Sequence, residues 1–208
     1  MKTINFIKTL IICFLLLETL QINAQQNFAI YNNTFIGKTY NIQISLKGKD
    51  EYSLYIDAMP LDKLHKIGGI TINQKQMEDF VLALKDARLK YEEWVKIAKE
   101  NNVKELDKVM ALKSTSGSFF QFGDKWNFQF LVNLKFNFKI LNQEDGIKYL
   151  LIVNTGELKS SSNEFIEVDG FVLVFSSTKE IDEFSSAISL EKIQEFINKP
   201  KKEELFKD

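Results

Sequence analysis

The sequence of 208 residues is poor in the side chains that most enzymes use for metal binding and nucleophilic catalysis. It contains one histidine, His65, and one cysteine, Cys13. Protein zinc sites draw mainly on Cys and His, and serine or cysteine nucleophiles are usually activated by a neighbouring His. The chain also carries no GxSxG, HExxH or phosphate-binding glycine motif. We therefore predict no catalytic residue, no cofactor, no metal ligand and no enzymatic activity.

Two residual candidates for chemistry are weak. His65 lies in the segment LDKLHKIGG, where Asp62 is three residues away and lysines are neighbours. A general base needs a nucleophile and an orienting group, so we interpret His65 as a histidine of a surface loop. An oxygen-rich cluster, Asn163, Glu164, Glu167 and Asp169, lacks the ligand spacing of a calcium loop.

The charge balance excludes a strong electrostatic attraction to nucleic acid. The chain has 27 Lys+Arg against 28 Asp+Glu, and Arg88 is its single arginine. Aromatic residues and lysines are interleaved between Phe119 and Lys139, as on a single-strand nucleic-acid platform. Strand alternation would place the rings and the charges on opposite faces, however, so we predict no nucleic-acid partner.

The N-terminal segment has the pattern of a secretory signal peptide. Lys2 and Lys8 precede an apolar run, LIICFLLL at residues 10–17, and Ala24 is the small residue before a polar stretch. The run is shorter than the ~20 apolar residues of a membrane span; the alternative is a buried core helix. We predict that residues 1–24 are removed, which leaves a cysteine-free mature chain with no transmembrane segment. The predicted location is the periplasm or the cell exterior.

The remaining chain divides into three predicted parts. Residues 25–36 are rich in Asn and Gln and are predicted to be a flexible lead-in. Residues 37–198 are predicted to form one α+β domain, and residues 199–208 a polar tail. The domain begins with a hairpin, in which apolar residues alternate with polar ones over residues 40–46 and 52–58.

A long amphipathic helix is predicted over residues 74–100. Asn73 and Gln76 have the spacing of a capping box. Apolar residues then recur at steps of four and three: Phe80, Leu84, Ala87, Tyr91, Trp94 and Ala98. This stripe fits burial against a sheet, and it also permits a coiled-coil seam. Short helices are predicted near the C-terminus, where Ser177 and Glu180 form a second capping pair.

The strongest strand signal lies between Trp126 and Ile140, where every even-numbered residue is apolar. Such a strand would extend ~50 Å, which is too long for one small domain, so a bend or bulge is predicted near Leu131. The predicted fold is α+β: an antiparallel, strongly bent sheet of about six to eight strands, with the long helix inserted after the first hairpin and short C-terminal helices.

Tyr55, Phe119 and Leu131 are apolar residues on otherwise polar strand positions. Together they form a possible contact patch, or the seat of the last helices. The predicted function is that of an exported, non-enzymatic bacterial domain that binds an unknown protein or small ligand. The alternatives are a periplasmic immunity or inhibitor protein against a secreted enzyme, and a small hydrolase that uses carboxylates alone.

Overall fold

The computed structural model describes residues 25–47, 51–62 and 67–199. The predicted signal peptide with Cys13, the residue His65 and the tail beyond residue 199 lie outside the described residues. The strands are β1 (Gln26–Asn33), β2 (Lys38–Lys47), β3 (Glu51–Asp57), β4 (Met59–Pro60), β5 (Gly68–Asn73), β6 (Leu106–Met110), β7 (Thr115–Phe122), β8 (Lys125–Asn133), β9 (Lys135–Gln143), β10 (Gly146–Asn154), β11 (Leu158–Ser160), β12 (Asn163–Val168) and β13 (Phe171–Phe175). The helices are α1 (Gln74–Glu100), α2 (Thr178–Ala187) and α3 (Leu190–Ile197).

The fold is α+β with antiparallel strand pairing, as the sequence predicts, but it does not contain one strongly bent sheet of six to eight strands. A six-stranded sheet has the order β1-β2-β3-β5-β7-β8, and a five-stranded sheet has the order β4-β13-β10-β9-β6. Strands β11 and β12 form a separate hairpin. The chain passes from the first sheet to the second three times: between β3 and β4, through α1 between β5 and β6, and between β8 and β9. The predicted long strand is therefore two strands in two sheets.

The segment predicted as a flexible lead-in contains strand β1. It pairs with β2 over its whole length, with one register shift between Asn27 and Ala29. Tyr31 is buried, and its ring lies 5.3 Å from the rings of both Tyr40 and Phe184. The Asn-rich and Gln-rich composition of this segment does not predict a strand. The strand forms because the segment pairs with β2. The first hairpin is thus β1–β2, and the position predicted for the long helix, directly after the first hairpin, is wrong: α1 follows β5.

Helix α1 begins at the predicted cap. The side chain of Asn73 accepts hydrogen bonds from the backbone N–H groups of Lys75 (3.0 Å) and Gln76 (3.1 Å), and the Gln76 side chain accepts one from Asn73 N (3.2 Å). The helix contacts β3, β5 and β7 of one sheet and β9 and β10 of the other. Its buried residues are Met77, Phe80, Ala83, Leu84, Ala87, Tyr91 and Ala98. The apolar stripe therefore lies in a core shared with both sheets and does not form a coiled-coil seam.

The start of α2 is tied to the turn between β1 and β2. The side chain of Ser177 caps the helix by accepting from Glu180 N at 3.2 Å. The Glu180 carboxylate is 7% exposed and accepts from Ser176 N (2.5 Å), Thr34 N (3.2 Å) and the Thr34 hydroxyl. A buried carboxylate is costly unless it is hydrogen-bonded, so these bonds fix the turn against the helix.

The core assignment of α1 predicts a large difference between its two faces. Phe80 is fully buried and Lys85 is exposed. Phe80→Ala should lower the free energy of unfolding by about 3–5 kcal/mol, through lost burial and the cavity left behind. Lys85→Ala should change it by less than about 0.5 kcal/mol. Urea denaturation of both variants measures the difference, and equal effects would contradict the assignment.

Candidate binding site

A β-bulge in β8 reverses which side chains face the core. Val132 pairs with Ser116, and Gln129 with Ser118, so Gly117 lies opposite two residues, Phe130 and Leu131. The bulge predicted near Leu131 is confirmed. An extra residue shifts the strand's alternation by one position. Even-numbered residues before the bulge therefore point to the opposite face from even-numbered residues after it.

The reversal corrects the predicted orientation of the even-numbered residues. After the bulge they are buried: Val132, Leu134, Phe136, Phe138 and Ile140. Before the bulge, Trp126 is 51% exposed, Phe128 38% and Phe130 75%. Unbroken alternation would place these three aromatic residues in the core with the even-numbered residues of β9, but they lie at the surface of the six-stranded sheet.

Strand register gathers aromatic side chains on the outer face of this sheet. Phe119 of β7 pairs with Phe128 of β8, and Tyr55 of β3 pairs with Thr71 of β5. Paired residues of neighbouring antiparallel strands share a face. The ring of Phe119 lies 5.7 Å from Tyr55 in an edge-to-face arrangement and 5.9 Å from Trp126. Aromatic rings thus extend across the outer face from β3 to β8.

The residues of the predicted contact patch occupy different positions. Tyr55 is half-buried and Phe119 is buried, and the structure brings their rings together. Leu131 is 67% exposed at the bulge. The sequence analysis missed Trp126, Phe128 and Phe130 because their alternation matches that of a core strand. The signal that could have found them is Leu131 itself, which interrupts the alternation where the bulge occurs.

A groove of about 790 Å³ lies on this face. Its volume falls within the range of small-molecule sites, roughly 300–1,000 Å³. Four lining side chains are aromatic: Tyr52, Tyr55, Phe128 and Phe130. Seven carry an uncharged hydroxyl or amide: Ser53, Thr71, Asn73, Gln74, Gln76, Ser118 and Gln129. The charged lining residues are Lys47, Glu51 and Lys75, and the remaining one is Gly117.

Glycines keep the strands close beneath this surface. A Cβ on Gly69 would lie 1.9 Å from the carbonyl oxygen of Ile56, and one on Gly117 would lie 2.3 Å from Oγ1 of Thr71. A side chain at Gly69 would require the backbone of β3 to move, and one at Gly117 would require the Thr71 side chain to move. The two glycines therefore leave the area beside Tyr55 and Phe130 open.

Several polar groups of the groove are held in place by the fold. The hydroxyl of Ser118 donates to the Gly69 carbonyl at 2.6 Å. The Gln129 side chain accepts from Lys159 N at 2.7 Å and donates to the Leu131 carbonyl at 3.2 Å. These bonds hold β7 to β5 and the β11–β12 hairpin to β8.

Tyr52 differs from these groups. It is 3% exposed, and its hydroxyl has no hydrogen-bond partner among the described residues. Burial raises the pKa of this phenol above its ordinary value, so it is a neutral hydroxyl at pH 7. Strand alternation places Tyr52 with the buried residues Leu54 and Ile56, on the face of β3 opposite Tyr55, so its hydroxyl belongs to the core and not to the outer face.

Asp57 lies on the same face, in the strand row that contains Gly69 and Phe119. Burial raises the pKa of its carboxyl, and the Asn41 side chain, which donates to it at 3.4 Å, lowers it by less. Because the folded-state pKa is raised, any stability that this group contributes is lost as the pH rises through that pKa.

The structure also places the oxygen-rich cluster considered in the sequence. Within residues 25–47, 51–62 and 67–199, no three His, Cys, Asp or Glu side chains lie together as metal ligands. Glu167 instead lies 3.0 Å from the Lys159 ammonium group, which lowers the pKa of that carboxyl. Glu167 is thus part of an exposed ion pair of the β11–β12 hairpin.

Comparison of the chain with protein-family models, with curated proteins and with solved structures finds no match in any of the three. The described helices include none that is both long enough and apolar enough to cross a membrane.

The bulge predicts that Trp126 is accessible to solvent. The chain has two tryptophans, and Trp94 is partly buried with its ring 5.7 Å from Phe138. In a Trp94→Phe variant, Trp126 is the sole tryptophan, and its fluorescence should be strongly quenched by acrylamide. The matched Trp126→Phe variant retains Trp94 and should show weaker quenching. The opposite order would mean that Trp126 faces the core and that the bulge is misplaced.

Proposed function

We propose that this protein is an exported bacterial binding protein without catalytic activity, and that it holds its ligand in the groove of the six-stranded sheet. The observation that carries this proposal is the exposure of Trp126, Phe128 and Phe130 beside a groove of ligand size. Clustered apolar surface of this kind typically marks a site of interaction. The fold gives these rings a rigid support, because they project from paired strands.

The groove chemistry favours binding over hydrolysis. Glu51 is the one carboxylate among the described lining residues. Hydrolysis by carboxylates alone uses a pair, roughly 5–9.5 Å apart in glycosidases, in which one group acts as acid and the other as nucleophile or base. We therefore rank binding above the carboxylate-dependent hydrolase.

The proposed location outside the cytoplasm rests on the sequence of residues 1–24. Expression of the full chain in a bacterial host that exports proteins should give a product whose intact mass lacks about the first two dozen residues. The processed product should also lack a thiol, since Cys13 is the only cysteine. A product that retains Met1 and the thiol would contradict export with cleavage.

Binding at the groove can be tested with a thermal-shift screen of neutral oligosaccharides, peptides, nucleotides and lipids. A ligand at a hundred times its Kd adds about 2.7 kcal/mol of stability. For a chain of this size, each kcal/mol of added stability raises the Tm by about 2–4 °C. We expect at least one class to raise the Tm of the mature protein and to lose this effect in Phe130→Ala.

The matched control for that screen is Phe165→Ala. Phe165 is a phenylalanine of β12 that is 87% exposed, and it does not line the groove. This variant should bind like the wild type. A shift that survives Phe130→Ala would place the ligand elsewhere, and the absence of any shift would contradict the binding function.

A second candidate function, the immunity or inhibitor protein, is favoured by the surface at the bulge. Phe130 and Leu131 are adjacent and are 75% and 67% exposed. Large exposed apolar side chains form the energetic centres of many protein interfaces. An enzyme that bound here would bury about 800 Å² of this protein. Leu131→Asp would then abolish the complex, whereas a small ligand in the groove does not require Leu131, which is not among the described lining residues.

A further inference from the structure

We propose that the free edge of strand β1 is a dimerisation site, at which a second copy of the chain adds its own β1 in antiparallel orientation. The two six-stranded sheets then form one continuous sheet across a twofold axis. This inference goes beyond the proposed ligand binding. It takes from the proposed function only the cleavage that leaves Gln25 as the single residue before β1.

Strand β1 ends the six-stranded sheet and is paired on one side only. Its partner is β2, and no backbone hydrogen bond joins its other side to the residues that the structure describes. In an edge strand, a row of backbone N–H and C=O groups points away from the sheet and can bond to a further strand. The free side of β1 is therefore a template for strand addition.

The other sheet edges are protected, as the edges of natural sheets usually are. Strand β8 is partly covered by the β11–β12 hairpin, in which Ser161 N donates to the Phe128 carbonyl at 2.7 Å. Strand β4 has two residues, and its Pro60 has no N–H to donate. Strand β6 carries Asp107 and Lys108, and both strands of the β11–β12 hairpin carry charged side chains. Among the described strands, β1 is the one edge without cover, charge or proline.

The composition of β1 favours a second copy of the chain as its partner. Charged residues make up 26% of the chain, but the eight residues of β1, QNFAIYNN, carry no charge. Side chains near a twofold axis meet their own copies, so a charge there would face a like charge, which is destabilising. A site for a different protein has no such restriction and commonly uses charge for specificity.

The polar side chains of β1 are also able to pair with themselves. Gln and Asn make up half of the strand, and each amide has both a donor and an acceptor. Two identical amides can therefore bond to each other across the axis, as they do in ladders of stacked strands. A strand of amides and apolar residues is self-complementary, which is the property that a twofold interface requires.

Ile30 supplies an apolar contact beside the axis. It pairs with Asn41 of β2 and is 58% exposed, although its neighbours on this face, Asn32 and Thr39, are polar. A single exposed isoleucine is normal on a protein surface. At an open edge, however, the antiparallel copy brings a second Ile30 into an opposite or diagonal position, where β-branched side chains contribute to the stability of a sheet. The pair covers both side chains.

The expected dimer is weak and reversible. The register shift between Asn27 and Ala29 limits the regular part of β1 to Ala29–Asn33. So short a strand edge covers much less than the roughly 800 Å² per partner of a standard interface. We therefore expect a dimer whose population rises with protein concentration.

The symmetry of this dimer has a consequence for the candidate site. A twofold axis normal to the sheet keeps each face of the sheet on its own side. The two aromatic faces, each with Trp126, Phe128 and Phe130, then open toward the same side of the dimer. A ligand with repeated units can engage both grooves and gain affinity from the raised effective concentration of the second groove.

Sedimentation velocity over a wide range of protein concentration tests the proposal, on the chain that begins at Gln25, obtained by export or expressed directly. We expect a reversible monomer–dimer equilibrium. Ile30→Lys places like charges beside the axis and should raise the dissociation constant of the dimer by at least about tenfold. The matched control is Val109→Lys, because Val109 is a β-branched residue of edge strand β6 that is 62% exposed. This control should leave the dissociation constant unchanged.

Two further measurements identify the interface. An equimolar mixture of Ile30→Lys and Ile30→Glu should dimerise more strongly than either variant alone, since opposite charges then meet across the axis. In the wild type, amide hydrogen exchange within Ala29–Asn33 should be slower in concentrated than in dilute solution, because added strand hydrogen bonds protect these amides.

A protein that is monomeric at every concentration would overturn the proposal, as would a dimer that Ile30→Lys leaves intact. A dimer that is lost in Phe130→Ala but kept in Ile30→Lys would place the contact on the aromatic face and would equally refute the β1 site. A monomer that binds a ligand in the groove would refute the dimer and leave the proposed function intact. A dimer that binds no ligand class in the thermal-shift screen would confirm the β1 site and refute the binding function.

Discussion

The bulge between β7 and β8 is the constraint on which the rest of this architecture depends. Gly117 lies opposite both Phe130 and Leu131, and a Cβ at this position would lie 2.3 Å from Thr71 Oγ1 and 3.3 Å from the Gln129 carbonyl oxygen. A larger residue would have to displace the Thr71 side chain and would crowd the backbone of β8. With glycine in place, one continuous apolar alternation can present aromatic rings to solvent in β8 and fill the core in β9.

The aromatic rings of β8 can face solvent because α1 occupies the core. The helix packs against strands of both sheets, and its Phe80 side chain is fully buried. Tyr91 adds a polar anchor, because its hydroxyl lies 3.0 Å from the Tyr149 carbonyl and 2.9 Å from that of Ser176. Since α1 and the second sheet supply the core on one side of the six-stranded sheet, Trp126, Phe128 and Phe130 are left exposed on the other side.

Local signals in the sequence predict α1 well and the sheets only in part. The cap at Asn73 and the stripe that includes Phe80 and Tyr91 lie within one helix, so spacing alone reveals them. Strand β1 is hidden because its Asn-rich sequence acquires a strand conformation from pairing with β2. The candidate site is hidden because the apolar residues at even-numbered positions continue without a break from Trp126 to Ile140, as they would in one core strand. Hydrophobic pattern gives the period of a strand, whereas the face that it presents depends on the partner strand.

The hairpin β11–β12 covers part of the free backbone edge of the aromatic strand β8. Strand β8 ends the six-stranded sheet, and an exposed apolar edge tends to pair with other chains. Here Ser161 N donates to the Phe128 carbonyl at 2.7 Å, and Lys159 N donates to the side chain of Gln129. These bonds cover part of the backbone edge and leave the rings on the sheet face uncovered. Protection of the edge, combined with exposure of the face, is the arrangement expected of a strand whose side chains bind a ligand and whose backbone must not recruit another strand.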